Sequence, residues 1–313
     1  MILWFRRLSV LAAGLALVAI ILSAWLRLSA AGMGCQDWPA CYGVDHWADP
    51  DWSGGGWPAG LLTFTSGLLM LLGLGLVVIA RRNRQQGFQP QRIPILLLVL
   101  LLIQLVLTSR ITLLFSRPAV MLLYLVLSMV VFCLWFWLAL RSAEQRPATP
   151  PGEARRLVPW IITGLLLAGL QGLLGAWTSV NFAALACPEL PTCQESWWPE
   201  ANFYGGFAFW REFGTDPAAD SAARLAIHLS HRLGALLVFM LLILLSVKMM
   251  RRRSMDIAGR LLMTMLPIQL ILGLLQVALE LPLPVVLAHS TGGALLLACL
   301  LYSLHRAMPH RDR

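Results

Sequence analysis

Charge is scarce in this chain. Asp, Glu, Lys and Arg together make up 12% of its 313 residues, against 58% hydrophobic types and a mean hydropathy of +0.74. That is far more apolar surface than one soluble core can bury, which excludes an ordinary water-soluble domain and leaves a polytopic membrane protein. The apolar runs also lack period-2 alternation, so a membrane barrel is excluded. Helices are expected, since hydrocarbon has no water to satisfy backbone amides. No clear small-residue cleavage site follows the first apolar run, so despite Arg6 and Arg7 ahead of it that run is expected to remain as a helix.

Long apolar stretches lie at about 8–28, 57–80, 93–112, 119–141, 157–178, 222–249, 257–279 and 284–305. Each is near the ~20 residues that cross ~30 Å of hydrocarbon as a helix. The expected fold is therefore all-α: eight transmembrane helices in two pseudo-symmetric four-helix bundles, residues 1–145 and 146–313. Segments 81–92 and 142–156 read as polar linkers, the second joining the halves. The net charge of +9 is not a nucleic-acid signal, because the cations sort by loop. Arg81, Arg82, Arg92, Arg141, Arg155, Arg156, Lys248, Arg251–Arg253, Arg260 and Arg306 fall on one side of an eight-span chain, with Arg6 and Arg7. That side is cytoplasmic by the positive-inside rule, with both termini inside a bacterial inner membrane. Lipid is the partner these charges imply. The opposite loops, 29–56 and 178–221, are acidic and rich in Trp.

Two boxes share the form Cys-x-acid-x-Pro-x-Cys: Cys35-Gln-Asp-Trp-Pro-Ala-Cys41 and Cys187-Pro-Glu-Leu-Pro-Thr-Cys193. Each follows an Ala-Trp pair by the same distance, Ala24-Trp25 and Ala176-Trp177. So many coincidences in register indicate an internal duplication. All four cysteines lie in outward loops, where disulfides persist, and local pairing is the natural arrangement. Such a bridge either staples its loop or exchanges electrons as a dithiol. A zinc site is disfavoured by the wide spacing and by the isolation of His46. Cys133 and Cys299 lie inside spans and read as packing residues.

Histidine is absent from the first four spans, whereas the second half holds three at membrane depth: His228 and His231 in the sixth span and His289 in the eighth. An ionisable group inside a bilayer is costly and marks function by default. His231 and His289 fall in the outer half of the membrane on different helices, which is what axial ligation of a haem iron from both faces needs. Gly234 and Gly292-Gly293 would let a flat macrocycle approach, and Arg232 is placed to pair with a propionate. His228, three residues before His231, has several open roles: partner to a ligand, proton carrier, ligand, or interface group. Hydrogen bonding between helices is the plain alternative for all three.

These residues carry a resemblance. The stretches Gly34-Cys35-Gln36-Asp37-Trp38-Pro39-Ala40-Cys41-Tyr42-Gly43, Trp177-Thr178-Ser179-Val180-Asn181-Phe182-Ala183-Ala184-Leu185-Ala186-Cys187-Pro188 and Ile227-His228-Leu229-Ser230-His231-Arg232-Leu233-Gly234-Ala235 resemble the haem A synthase family over essentially the whole chain. The resemblance implies haem b between His231 and His289 in the second bundle. It also implies a first bundle that receives haem O and oxidises a ring methyl to formyl. The family pattern of glutamate, histidine and arginine on the second helix falls at Ala59, Leu62 and Thr63, and its histidine on the fourth helix at Tyr124. Two functional classes follow: a haem A synthase with an altered substrate pocket, or a non-catalytic haem b protein serving electron transfer, haem handling or oxidase assembly. Haem O synthase and terminal-oxidase assembly factors are the partners the resemblance suggests. A tyrosinate at Tyr124 holding a haem from one face is a lesser alternative.

Overall fold

The computed structural model describes residues 2–28, 56–82, 92–109, 118–142, 152–210 and 220–308. Eight long helices account for most of them: α1 (Ile2–Leu28), α2 (Gly56–Arg82), α3 (Arg92–Ser109), α4 (Pro118–Arg141), α5 (Val158–Val180), α6 (Ser221–Met250), α7 (Asp256–Ala278) and α8 (Leu283–Ala307). No strand occurs among the described residues. Seven of the eight are long and apolar enough to cross a membrane. The exception, α3, has 18 residues, about 27 Å of helix, slightly short of the hydrocarbon thickness.

The helices are inverted relative to those of a soluble bundle. On α6, Val238, Leu242, Leu245 and Met249 are buried, while Leu237, Met240 and Leu244 on the other side of the same turns are more than half exposed. Both faces are apolar because one meets protein and the other lipid, so the ordinary polar stripe is missing. Leu71 and Leu74 on α2 and Leu166 and Leu170 on α5 face outward in the same way.

Helices α1, α2, α3 and α4 pack in a ring of neighbours, and so do α5, α6, α7 and α8. The first ring is filled by Phe5, Leu69, Leu76, Leu97, Phe132, Trp135 and Leu138, the second by Ile161, Leu242, Met249, Leu262 and Leu300. Helix α8 joins them, because Ala294 and Ala298 sit in the first core and their small side chains admit a close approach of helices.

Helix α1 begins six residues before the apolar stretch at 8. Arg6 and Arg7 made the start look polar, yet Phe5 is buried, Ser9 donates to the Phe5 carbonyl at 2.8 Å, and Arg7 lies over the Trp4 ring. Long cations keep their heads at the interface while their stems follow the helix, so charge there does not end it.

At one end of the second bundle, Arg252 pairs with Glu153 at 2.9 Å, Arg306 donates to the Ser254 carbonyl at 2.8 Å, and Lys248 lies over Trp160. Here α6 and α7 also close tightly: Ser246 Oγ donates to the Gly259 carbonyl at 2.7 Å. A Cβ on Gly259 would lie 2.8 Å from the Met250 nitrogen and 2.9 Å from the Ser246 oxygen. Gly259→Ala should cost about 1–3 kcal/mol through backbone overlap. Gly14→Ala, where a Cβ meets nothing within 4 Å, should be neutral or stabilising. Thermal unfolding in detergent reads both, and equal midpoints for the two variants would contradict this packing.

Candidate functional site

The second bundle concentrates its polar chemistry towards the end opposite Arg252 and Glu153. His231 lies ten residues into α6, about 15 Å along the axis, and His289 six residues into α8, about 9 Å, entering from the same end. Both rings are half-buried and close enough to interact electrostatically.

Each of these histidines is matched by a neighbouring helix with the same pair of residues. On α5, Gln171 Nε2 lies 2.8 Å from His231 Nδ1 and donates to the His231 carbonyl at 2.9 Å. On α7, Gln269 Nε2 donates to the His289 carbonyl at 2.9 Å. One turn further along, Gly175 and Gly273 face the two rings: a Cβ there would come within 3.0 Å of His231 Cε1 and 3.1 Å of His289 Cε1. Gly234 and Gly292 lie directly against the carboxamide oxygens of Gln171 and Gln269. Three atoms in this cluster are buried without a hydrogen-bond partner: Gln171 Oε1, Gln269 Oε1 and His289 Nδ1. Unpaired polar groups in a membrane interior are costly, and their convergence on two histidines suits a ligand-bearing group. The two rings, set on different helices towards one end of the bundle and each seated on a glycine, could hold a metal-bearing group.

His228 is used differently. It is buried, and its Nδ1 lies 2.9 Å from the Ala183 carbonyl, to which it can only donate. Arg232 is also committed: its guanidinium donates to the carbonyls of Cys187 at 2.6 Å, Glu189 at 2.8 Å and Thr192 at 3.3 Å. These two side chains tie the outer loop to α6. Cys187 and Cys193 form a disulfide, buried against Leu225 and Leu229. The short helix Phe203–Gly206 lies on the start of α6, where Trp177 Nε1 donates to the Gly206 carbonyl at 2.9 Å and Asn202 N to Ala222 O at 2.9 Å. Gly206 permits this approach, since a Cβ would stand 2.7 Å from the Ala223 oxygen. The loop thus covers the bundle end with its inner face and turns Trp197, Trp198, Tyr204 and Trp210 outward, as aromatic residues at a membrane interface are. Cys35 and Cys41 lie outside the described residues. Cys133 and Cys299 are free thiols, partly buried within α4 and α8.

The corresponding places in the first bundle hold other chemistry. Ala59 and Thr63 are exposed on α2, with Thr63 Oγ1 donating back to the Ala59 carbonyl at 2.9 Å, and Leu62 is half-buried. Tyr124 is buried in α4. Gln104 of α3 donates to Ser128 Oγ at 2.7 Å, and Ser128 donates to the Tyr124 carbonyl at 2.9 Å. A glutamine thus reaches the Tyr124 backbone through a hydroxyl, much as Gln269 reaches that of His289 directly.

Gln171, Gln269, Gly175 and Gly273 were not singled out by the sequence reading. Their signal was available: Gln-x-x-x-Gly occurs at 171–175 and at 269–273, each within an apolar run.

Fold and site define a polytopic helical membrane protein that presents paired histidines from two helices of one bundle. The model of the COX15-CtaA family, described as cytochrome oxidase assembly protein, matches residues 61–301. A heme A synthase of Shewanella oneidensis is 30% identical over 308 residues, covering 91% of each chain. The chain belongs to this haem A synthase family.

Removing either anchor of the outer loop should loosen it. His228→Ala leaves the Ala183 carbonyl with only the Ala186 amide, at 3.2 Å, and should cost about 1–3 kcal/mol. Arg232→Ala strips three carbonyls and should increase proteolytic cleavage within 181–210. Limited proteolysis with mass mapping checks this, and a cleavage pattern identical to wild type in both variants would show the anchors to be dispensable.

Proposed function

We propose that the chain works in haem A biosynthesis in a bacterial inner membrane, holding one haem b between His231 and His289 and oxidising a methyl of haem O to the formyl group of haem A. The observation that carries this reading is that His231 on α6 and His289 on α8 lie towards the same end of one four-helix ring, each ring seated on a glycine of a neighbouring helix, in a chain of this family. When bound, haem b supplies a one-electron redox centre. His231 and His289 would hold its iron. Gly175 and Gly273 leave room for the rings, and the outer loop shields the bundle end from water. Its cysteine bridge belongs on the oxidising side of the membrane, opposite the basic end at Arg252 and Arg306, which is cytoplasmic with both termini. The duplicated cysteine boxes support descent of the halves, 1–145 and 146–313, from one four-helix unit.

One observation favours a second reading. At the family's acid and ligand positions the first bundle carries Ala59, Leu62, Thr63 and Tyr124. Ala59 has no carboxylate to stabilise charge developing at a reacting carbon, and Leu62 has no lone pair to offer an iron. On this reading the chain is a haem b protein that serves electron transfer, haem handling or oxidase assembly, with haem O synthase or terminal-oxidase assembly factors as partners.

Pyridine haemochrome analysis of the protein co-expressed with a haem O source separates the two. Haem A or its hydroxylated precursor beside haem b supports the enzyme, and haem b alone supports the carrier. In the carrier case Ala59→Glu, Leu62→His and Tyr124→His together should produce haem A. His231→Ala and His289→Ala should each abolish the low-spin haem b spectrum, and its persistence in either would remove that residue as a ligand. Gly175→Ala and Gly273→Ala, which crowd the rings, should lower haem content several-fold at unchanged protein yield.

A further inference from the structure

We infer that Gln171 and Gln269 are matched positioning residues for the two iron-binding histidines, each giving its carboxamide oxygen to the Nδ1–H of the ring it faces and so turning Nε2 towards the iron. The inference rests on the haem b reading above and adds residues that the reading does not need.

An imidazole that binds a metal through Nε2 must carry its proton on Nδ1, and a buried N–H requires an acceptor. In this site that requirement falls on few groups. His289 Nδ1 is buried without a well-formed hydrogen bond, the Gln269 backbone carbonyl being the acceptor beside it, and the carboxamide oxygen of Gln269, whose Nε2 already donates to the His289 carbonyl, is unused. A donor position and an unused acceptor belong to two residues already joined by a hydrogen bond. At the other histidine the contact is made: the Gln171 carboxamide lies 2.8 Å from His231 Nδ1, with Nε2 facing the ring and Oε1 orphaned. Carboxamide oxygen and nitrogen exchange places by a half-turn about one bond. With Nε2 towards the ring, Nδ1 accepts and Nε2 of the imidazole keeps the proton. With Oε1 towards the ring, Nδ1 donates and the imidazole Nε2 is free for the iron, and the carboxamide exchanges its 2.9 Å bond to the His231 carbonyl for the bond to the ring. A glutamine offers both partners from one position, which a carboxylate, a hydroxyl or a backbone carbonyl does not.

The packing supports a dedicated role. Gly234 and Gly292 each lie three residues after their histidine and directly against the end of the glutamine's carboxamide, where any Cβ would displace it in either orientation. Gly175 and Gly273 each lie four residues after their glutamine and seat the ring itself. Gln-x-x-x-Gly on one helix and His-x-x-Gly on its neighbour therefore interlock twice, on α5 with α6 and on α7 with α8. A glutamine in an apolar span that served packing alone would have no cause to meet a histidine in both places.

The hydrogen bond has an electronic consequence that packing lacks. An acceptor at Nδ1–H makes the imidazole a stronger donor to ferric iron and lowers the reduction potential. In the haem-loaded, full-length protein, Gln171→Leu and Gln269→Leu should each raise the haem b midpoint potential, while the optical spectrum stays low-spin with two axial histidines. Gln171→Glu and Gln269→Glu, which supply a stronger acceptor of the same length, should lower it. Gln171→Asn, one methylene short, should behave like the Leu variant. The EPR g-values, which depend on the relative orientation of the imidazole planes, should move in the Leu variants. Should a Leu variant fail to fold, the Asn and Glu variants carry the same comparison. Midpoints and g-values unchanged in all variants, on a wild type that shows low-spin haem b, would overturn the inference and leave the haem reading standing. A wild type with no low-spin haem b would overturn both.

Discussion

Hydrocarbon offers no hydrogen bonds, and that constraint decides which polar side chains in this protein carry information. Most hydroxyls in the spans are satisfied within their own helix. Ser9, Thr65, Ser66, Thr178, Ser230 and Ser303 each donate to the carbonyl four residues back. Such bonds close locally and say little about the rest of the molecule. Apart from Arg252 and Arg306, side chains that reach another element include Gln104, Gln171 and Gln269, His228, Arg232, Trp177 and Ser246. Except for Ser246, which fastens the turn from α6 to α7, and Gln104, which belongs to the first bundle, they gather around the outer part of the second. Association in lipid lacks the water-driven term that holds soluble cores together, so close packing and these few polar contacts fix the arrangement there.

The outer end illustrates how a charged group is accommodated. Arg232 stands beside His231 in sequence, which suggests a role at the ligand itself. Its guanidinium instead gathers three backbone carbonyls from the segment closed by Cys187 and Cys193. A cation near the membrane boundary is stabilised by carbonyl dipoles as well as by a carboxylate, and the loop carbonyls gain a donor they would otherwise lack. His228 and Trp177 hold the same loop at two further points, so the cover over the bundle is fastened to α5 and α6.

Comparison of the bundles separates frame from chemistry. Gln104 reaches the Tyr124 backbone by way of Ser128, and Gln269 reaches that of His289 directly. A glutamine on the third helix of each bundle thus ends near the backbone of a residue on the fourth, whose side chain is a phenol in one and an imidazole in the other. On α2 the replacements go further, since Ala59, Leu62 and Thr63 together carry no ionisable group. The first bundle therefore keeps the helix packing of its counterpart with a different capacity for ligation and proton handling.

Helix number, the apolar class of the protein, the division of cations and the candidate histidines could all be read from the sequence, because each depends on composition or on short-range spacing. Residues within one span share a register that needs no partner to define it, so His231 and His289 were identifiable one helix at a time. Helix α1 starts at Ile2, ahead of the apolar stretch, because long cations such as Arg6 and Arg7 extend from a helix without ending it. What His228 and Arg232 touch was decided only by the fold: their partners lie in a loop about forty residues away along the chain. The same holds for Gln171 and Gln269. Each is an isolated polar residue in an apolar run until its neighbouring helix places a histidine against it. Sequence specifies which side chains must find partners in hydrocarbon, and only the packing of one helix on another determines which partners they find.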